Sequence, residues 1–252
     1  MPEALDLLGW AVVIVGALAA GFVSGFAGFG TGLVAAGFWY FALPAAMVPP
    51  LVAIASVAAQ MVGMIHVRAA FDRGRAGPYL VAGALGVPLG VLALSLASPS
   101  ALRVSVGLFL VAYPVFQLLA AGRFGVPSWG GRRADGAIGF LGGVLGGYAG
   151  LSGAPIVVWL QLRGGPSAGQ RAVYQPFNLI VLALAGVVMA IGGQIDRATA
   201  AVGALIVPAT LISAWIGARL YAGVGEAAFR RVVLALLMIS GAALLIQTLF
   251  RA

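Results

Sequence analysis

In this chain of 252 residues, 62% are apolar and 8% charged, against roughly 25% charged in an average soluble domain, which excludes a soluble fold and points to a polytopic membrane protein. The net charge of +8 comes from 14 arginines and no lysine. These sit mostly at the ends of apolar runs, in clusters too small for a nucleic-acid groove, so no nucleic-acid partner is expected. Cysteine is absent, which removes disulfides, thiolate metal sites and thiol nucleophiles.

At about 20 residues per spanning helix, the length allows seven or eight membrane segments and no sizeable soluble domain. Glu3 and Asp6 precede the first apolar run without a basic residue, so a membrane segment is expected there rather than a cleaved leader. The apolar runs cover Leu5 to Leu43, Leu51 to Val67, Ala76 to Ala97, Val104 to Ala121, Ala137 to Leu162, Ala172 to Gly193, Ala198 to Leu220 and Val232 to Phe250. The polar joints between them are short. Pro88, Pro114 and Pro208 fall inside runs, where neighbouring helices can satisfy the freed carbonyls.

Two stretches inside these runs are too rich in glycine for an ordinary helix: residues 25–32, with Gly25, Phe26, Ala27, Gly28, Phe29, Gly30, Thr31 and Gly32, and residues 147–153, with Gly147, Tyr148, Ala149, Gly150, Leu151, Ser152 and Gly153. Each glycine costs a helix about 1 kcal/mol. We therefore expect both stretches to be helix breaks, which survive in lipid only where protein or a polar cavity covers them. The competing explanation is close helix packing, because Gly21 and Gly25, Gly28 and Gly32, Gly142 and Gly146, and Gly143 and Gly147 all have GxxxG spacing.

The chain also repeats itself. Residues 21 and 25–28 match 143 and 147–150 at an offset of 122, Asp72-Arg73 matches Asp196-Arg197, and residues 83–88 match 203–208. This predicts a first membrane repeat over 1–121, a cytoplasmic connecting loop over 122–135 and a second repeat over 136–252. If each broken segment returns to its own side, 11 of the arginines share one face and 3 the other; if each crosses, the split is a nearly even 8 against 6. The positive-inside bias selects the first arrangement. The expected fold is all-α: two inverted repeats, each a broken re-entrant hairpin followed by three transmembrane helices, with both termini outside.

In inverted-repeat carriers the broken helices of the two copies meet near the bilayer midplane and form the site. Each break presents the N–H groups of a helix start, with partial positive charge, and glycine lets a ligand approach the backbone. A small anion is the expected partner, bound by Gly25, Gly28, Gly30, Gly147, Gly150 and Gly153, with Thr31 and Ser152 as hydroxyl donors. Phe29, Leu151 and Tyr148 would wall the site. Pro155 suits the first turn of the returning helix.

Residues 21–32, the run from Gly147 to Pro155, Arg171 and the two-halved plan together resemble the TauE/SafE-type permeases, the sulfite exporter family. The second motif is similar to that family's Gly-x-Ser-Gly-Pro-Pro signature, with Ala154 in place of the first proline. The resemblance implies transport of sulfite, sulfonates, sulfoacetate or related organosulfur anions across the bacterial inner membrane.

Gln60, Gln175, Asn178 and Tyr174 lie within the runs that follow the two hairpins, where they serve either interhelical hydrogen bonding or substrate contact. His66, the single histidine, is expected at a helix end, as an interfacial residue or a pH-sensitive contact. Arg171 is expected to draw an anion toward the cytoplasmic mouth or to anchor to lipid headgroups. All six carboxylates fall in joints or at the N-terminus, so no buried acid is expected to carry protons or sodium. No metal or cofactor is expected, and an intramembrane enzyme lacks the nucleophile and base it needs. An anion channel or a non-transporting scaffold subunit are the alternatives to a carrier, and the oligomeric state stays open.

Overall fold

The structure, a computed structural model, describes residues 6–67, 72–120, 130–220 and 226–250, and the side chains of these except 66–67, 120 and 226–232. The side chains of His66, Arg230 and Arg231, the whole of Arg68, Arg123 and Arg251, and most of the 122–135 connection lie outside what is described.

The described chain is helical throughout: α1 (Leu7–Ala27), α2 (Thr31–Ala42), a short 3-10 turn (Ala45–Met47), α3 (Val48–Val67), α4 (Arg73–Leu96), α5 (Pro99–Ala120), α6 (Gly131–Ala149), α7 (Gly153–Arg163), α8 (Ser167–Ile191), α9 (Arg197–Leu220) and α10 (Glu226–Phe250). Seven of these helices are long and apolar enough to cross a membrane. Leu85, Ile191, Leu205 and Ile239 are among the many large apolar side chains left on the outer surface, as a lipid-facing bundle requires.

Several helices begin before the apolar run that announced them, α4 by three residues and α9 by one. α4 and α9 start at Arg73 and Arg197 because Asp72 and Asp196 cap them, accepting hydrogen bonds from Gly74 N at 2.8 Å and Thr199 N at 2.7 Å. The repeated Asp-Arg pair is thus a repeated N-cap, which satisfies an amide that the first turn leaves without a partner.

The packing exchanges helices between the halves. α1 lies along α9, and α6 lies along α4. Gly21 faces Thr210 and Gly25 faces Ala214; Gly139 faces Tyr79, Gly143 faces Gly83 and Gly147 faces Val87. Residue numbers rise together in both pairs, so each pair runs parallel. A Cβ added to Gly25 would fall 1.9 Å from Ala214 O, and one on Gly143 would fall 2.0 Å from Gly83 O. These glycines bring helix backbones into contact, which in lipid replaces the hydrophobic drive that water would supply. α5 and α10 pair antiparallel, with Gly107 against Leu245 and Gly241 against Leu110. α3 and α8 pack together at the centre.

Each half opens with an uneven hairpin: 21 residues of α1 against 12 of α2, and 19 of α6 against 11 of α7. Each hairpin is pinned by a tryptophan of its shorter helix. Trp39 Nε1 donates to Val13 O at 3.0 Å, and Trp159 Nε1 donates to Asp135 Oδ1 at 2.8 Å. Arg132 reaches Gly74 O and Arg163 reaches Gly131 O, which gathers the starts of α4 and α6 and the end of α7 at one end of the bundle.

Asp135 corrects one expectation. It lies on α6 rather than in a solvated joint, its side chain is 14% exposed, and it receives Tyr79 Oη at 2.5 Å as well as Arg163 Nη2 at 3.2 Å. Its charge is tolerable there because a cation and two neutral donors surround it.

Candidate functional site between two helix breaks

Both glycine-rich stretches are broken, over three residues each rather than along their full length. α1 stops at Gly28, whose φ of 81° is left-handed, and α2 restarts after Gly30, whose φ is 97°. α6 stops at Gly150, with φ 73°, and α7 restarts after Ser152. Left-handed backbone strains any residue with a Cβ, which is why glycine stands at these stops. The outer glycines of the stretches do the other job that their spacing suggested: Gly25 and Gly147 stay helical and pack against α9 and α4.

The two breaks touch. A Cβ on Gly32 would fall 2.4 Å from Gly150 O. Between them is a cavity of about 20 Å³ walled by both: Phe29, Gly30 and Thr31 on one side, and Gly150, Leu151, Ser152 and Gly153 on the other. α3 adds Ser56 and Gln60; α8 adds Asn178 and Leu182. The volume is room for about one water. Its polar side chains are buried: Thr31, Ser56, Gln60, Ser152 and Asn178 are each at most 2% exposed.

The polar groups around this cavity are only partly satisfied. Ser152 Oγ donates to Asn178 Oδ1 at 2.9 Å, and Gln60 Nε2 donates to Gly28 O at 3.2 Å. Thr31 Oγ1, Ser56 Oγ and Gln60 Oε1 are buried without a hydrogen-bond partner among the described residues. Leaving such a group unpaired costs about 1–3 kcal/mol, so three at one cavity indicate a place shaped for a polar guest. The starts of α2 and α7 also lack a side-chain cap, and first-turn residues of both helices line this space.

The last carbonyls of the long hairpin helices are met differently. In α6 the backbone closes on itself, with Gly150 N donating to Gly146 O at 2.9 Å and Leu151 N to Leu145 O at 3.1 Å. α1 keeps the equivalent backbone bond, Gly28 N to Ser24 O at 2.7 Å, and side chains add to it: Tyr174 Oη donates to Ala27 O at 2.8 Å, and the Arg171 guanidinium donates to Phe26 O. Cations at a helix C-terminus also favour its dipole.

Arg171 borders a second cavity of about 370 Å³, which also meets Ser167, Gln170 and Tyr174 on α8 and Gln161 on α7. Phe29, Gly30 and Leu33 are common to the walls of both cavities. The Phe29 ring stands edge-on to Tyr174, centroids 5.8 Å apart and planes at 71°.

Of the residues selected from sequence, nine meet in the small cavity: Phe29, Gly30, Thr31, Gln60, Gly150, Leu151, Ser152, Gly153 and Asn178. Gln175 lies just outside it, its Nε2 2.6 Å from where a Gly28 Cβ would sit. Tyr148 turns to α5, its hydroxyl 2.8 Å from Ser105 Oγ. Ser56 was missed, although it stands 122 residues before Asn178, the same offset that relates the two breaks. Arg171 binds a helix end inside the protein, a role that neither expectation for it included.

No match is found among curated proteins, and none among solved structures. Residues 13–244 match the family described as Sulfite exporter TauE/SafE. With broken hairpins in both halves and nearly its whole length inside that match, the chain belongs to the sulfite exporter TauE/SafE family.

Proposed function

We propose that this protein is a secondary carrier for small organosulfur anions such as sulfite, sulfonates or sulfoacetate, bound in the cavity between the two breaks and exposed to each side of the membrane in turn. The observation that carries this reading is convergence: two uncapped helix starts and the orphaned Thr31, Ser56 and Gln60 oxygens lie around one buried space. Amides and hydroxyls donate to an anion's oxygens, and the Gln60 carbonyl accepts from a bound water or from a protonated anion such as bisulfite.

The halves act as inverted copies in this reading. Support comes from the exchanged parallel pairs, α1 on α9 and α6 on α4, and from the paired N-caps Asp72 and Asp196. The end that gathers Arg73, Arg75, Arg132, Arg163 and Arg171 is then cytoplasmic and both termini lie outside a bacterial inner membrane. With about 20 Å³ between the breaks, this conformation holds no more than a water there, so loading requires the hairpins to part. For a monoanion leaving an inside-negative cell, the potential contributes roughly 2.3 kcal/mol per 100 mV, enough to drive export without a coupled ion.

The test is flux of sulfite from liposomes containing the purified protein. We expect sulfite to run down its gradient in the wild type, and Thr31→Val combined with Ser56→Ala to weaken half-saturation by about tenfold or more, since each lost bond to a charged group is worth about 1.5–3 kcal/mol. Wild-type half-saturation in the double variant would refute the site.

A further inference from the structure

We propose that the larger cavity beside Phe29 is a second anion site, a vestibule where an organic anion with an apolar tail is held before it passes between the breaks. The inference deepens the carrier reading, because it concerns the path into the same central cavity.

The walls of this space are divided. One part is polar: Arg171, Gln170 and Ser167 at the start of α8, Gln161 on α7, and Gln117 on α5, whose Nε2 donates to Tyr113 Oη at 2.9 Å. The other is apolar: Phe26 and Val34 from the first hairpin, Val157 from α7, and Val233, Leu234 and Leu237 from α10. A guanidinium offers a planar fork of donors to an oxyanion and retains its charge at any working pH. A bare inorganic anion has no use for the apolar half, whereas a sulfonate bearing an alkyl or aryl group places its head on Arg171 and its tail against α10. The volume, about 370 Å³, falls within the range of small-molecule sites.

Phe29 is the partition. It is shared by both cavity walls, and it stands between two left-handed glycines, Gly28 and Gly30, whose missing Cβ atoms let the backbone turn on either side of it. Its ring rests on Tyr174, whose hydroxyl holds Ala27 O, so displacing Phe29 and releasing the end of α1 are linked movements.

The experiment is titration of the purified full-length protein with benzenesulfonate and with methanesulfonate, alongside sulfite flux in liposomes. Gln161→Glu, on an exposed position of α7, adds a negative charge to the vestibule without disturbing a buried contact. We expect it to weaken both sulfonates by at least about tenfold. Arg171→Gln should do the same and Arg171→Lys should recover part of the loss. Val233→Trp, which fills the apolar wall, should weaken benzenesulfonate by a larger factor than methanesulfonate. Sulfonate affinities unchanged by Gln161→Glu, or equal losses for the two sulfonates in Val233→Trp, would overturn the vestibule. If that happens while the wild type still moves sulfite, the carrier reading stands without it. If the wild type moves no sulfur anion yet binds both sulfonates with the expected dependence on Gln161 and Arg171, the vestibule stands and the carrier reading falls.

Discussion

The two hairpins share a backbone plan and differ in what closes over them. Beside the first break, Tyr174 and Arg171 of α8 reach the end of α1, and a cavity of about 370 Å³ adjoins them. Beside the second, the residue 122 positions before Tyr174 is Val52, whose Cγ1 lies 2.2 Å from where a Gly150 Cβ would sit. One side is polar and hollow, the other apolar and filled. Two hairpins of the same plan can therefore share a turn, its glycine and its helix start while the residues on the facing helix decide whether that side is accessible. An alternating carrier needs this difference to reverse during its cycle.

The largest effects should come from forcing the filled side. Gly150→Ala adds left-handed strain to a clash with Val52, and we expect sulfite flux to fall by at least about tenfold, since roughly 1.4 kcal/mol corresponds to that factor. Adding Val52→Ala should restore part of the flux by removing the clash while leaving the strain. Gly28→Ala meets the end of the Gln175 side chain at 2.6 Å and the Tyr174 ring at 3.0 Å from the added carbon, a lesser overlap than the 2.2 Å to Val52, so a smaller loss is expected there. Equal losses at Gly28 and Gly150 would erase the contrast between the two sides.

A second contrast lies at the outer ends of the hairpins. Trp39 binds a backbone carbonyl at Val13, and 120 residues later Trp159 binds the carboxylate of Asp135 together with Tyr79 and Arg163. Asp135→Asn leaves Arg163 without its counter-charge in a pair about four-fifths buried, and we expect a loss of about 2 kcal/mol in thermal unfolding of the purified protein. Trp39→Phe loses one neutral bond, about 1 kcal/mol. Indistinguishable melting shifts would mean that the carboxylate adds nothing to the second hairpin.

The smallest effect concerns the repeated caps. Hydrogen bonds from the Thr199 side chain and backbone hold the Asp196 carboxyl below its usual range. Its contribution is therefore present above the pKa of the unfolded chain and is lost as pH falls through the depressed folded value. Melting curves taken from neutral to acid pH should show an acid-side decline that Asp196→Asn reduces slightly. An unaltered acid profile would remove Asp196 from the account.

Much of this was legible in the chain because it follows from strong local chemistry. Glycines clustered inside apolar runs marked the breaks, and the 122-residue offset marked the correspondence between the two hairpins. The extent of each break was not legible, since Gly25 and Gly28 look alike in sequence while one packs against Ala214 and the other turns the chain. Arg171 resisted reading for a related reason: its partner, the Phe26 carbonyl, is a backbone atom 145 positions away. Asp135 was misjudged because the apolar run begins after it, although α6 already includes it.

The central claim is that an anion sits between the two breaks. A structure of the protein with selenite, the heavier homologue of sulfite, tests it most directly through selenium's anomalous scattering. The account predicts a peak bounded by Thr31, Ser56, Ser152 and Asn178, with the hairpins parted relative to the present cavity of roughly 20 Å³. A selenium peak found only outside that space, with the breaks still in contact, would contradict it.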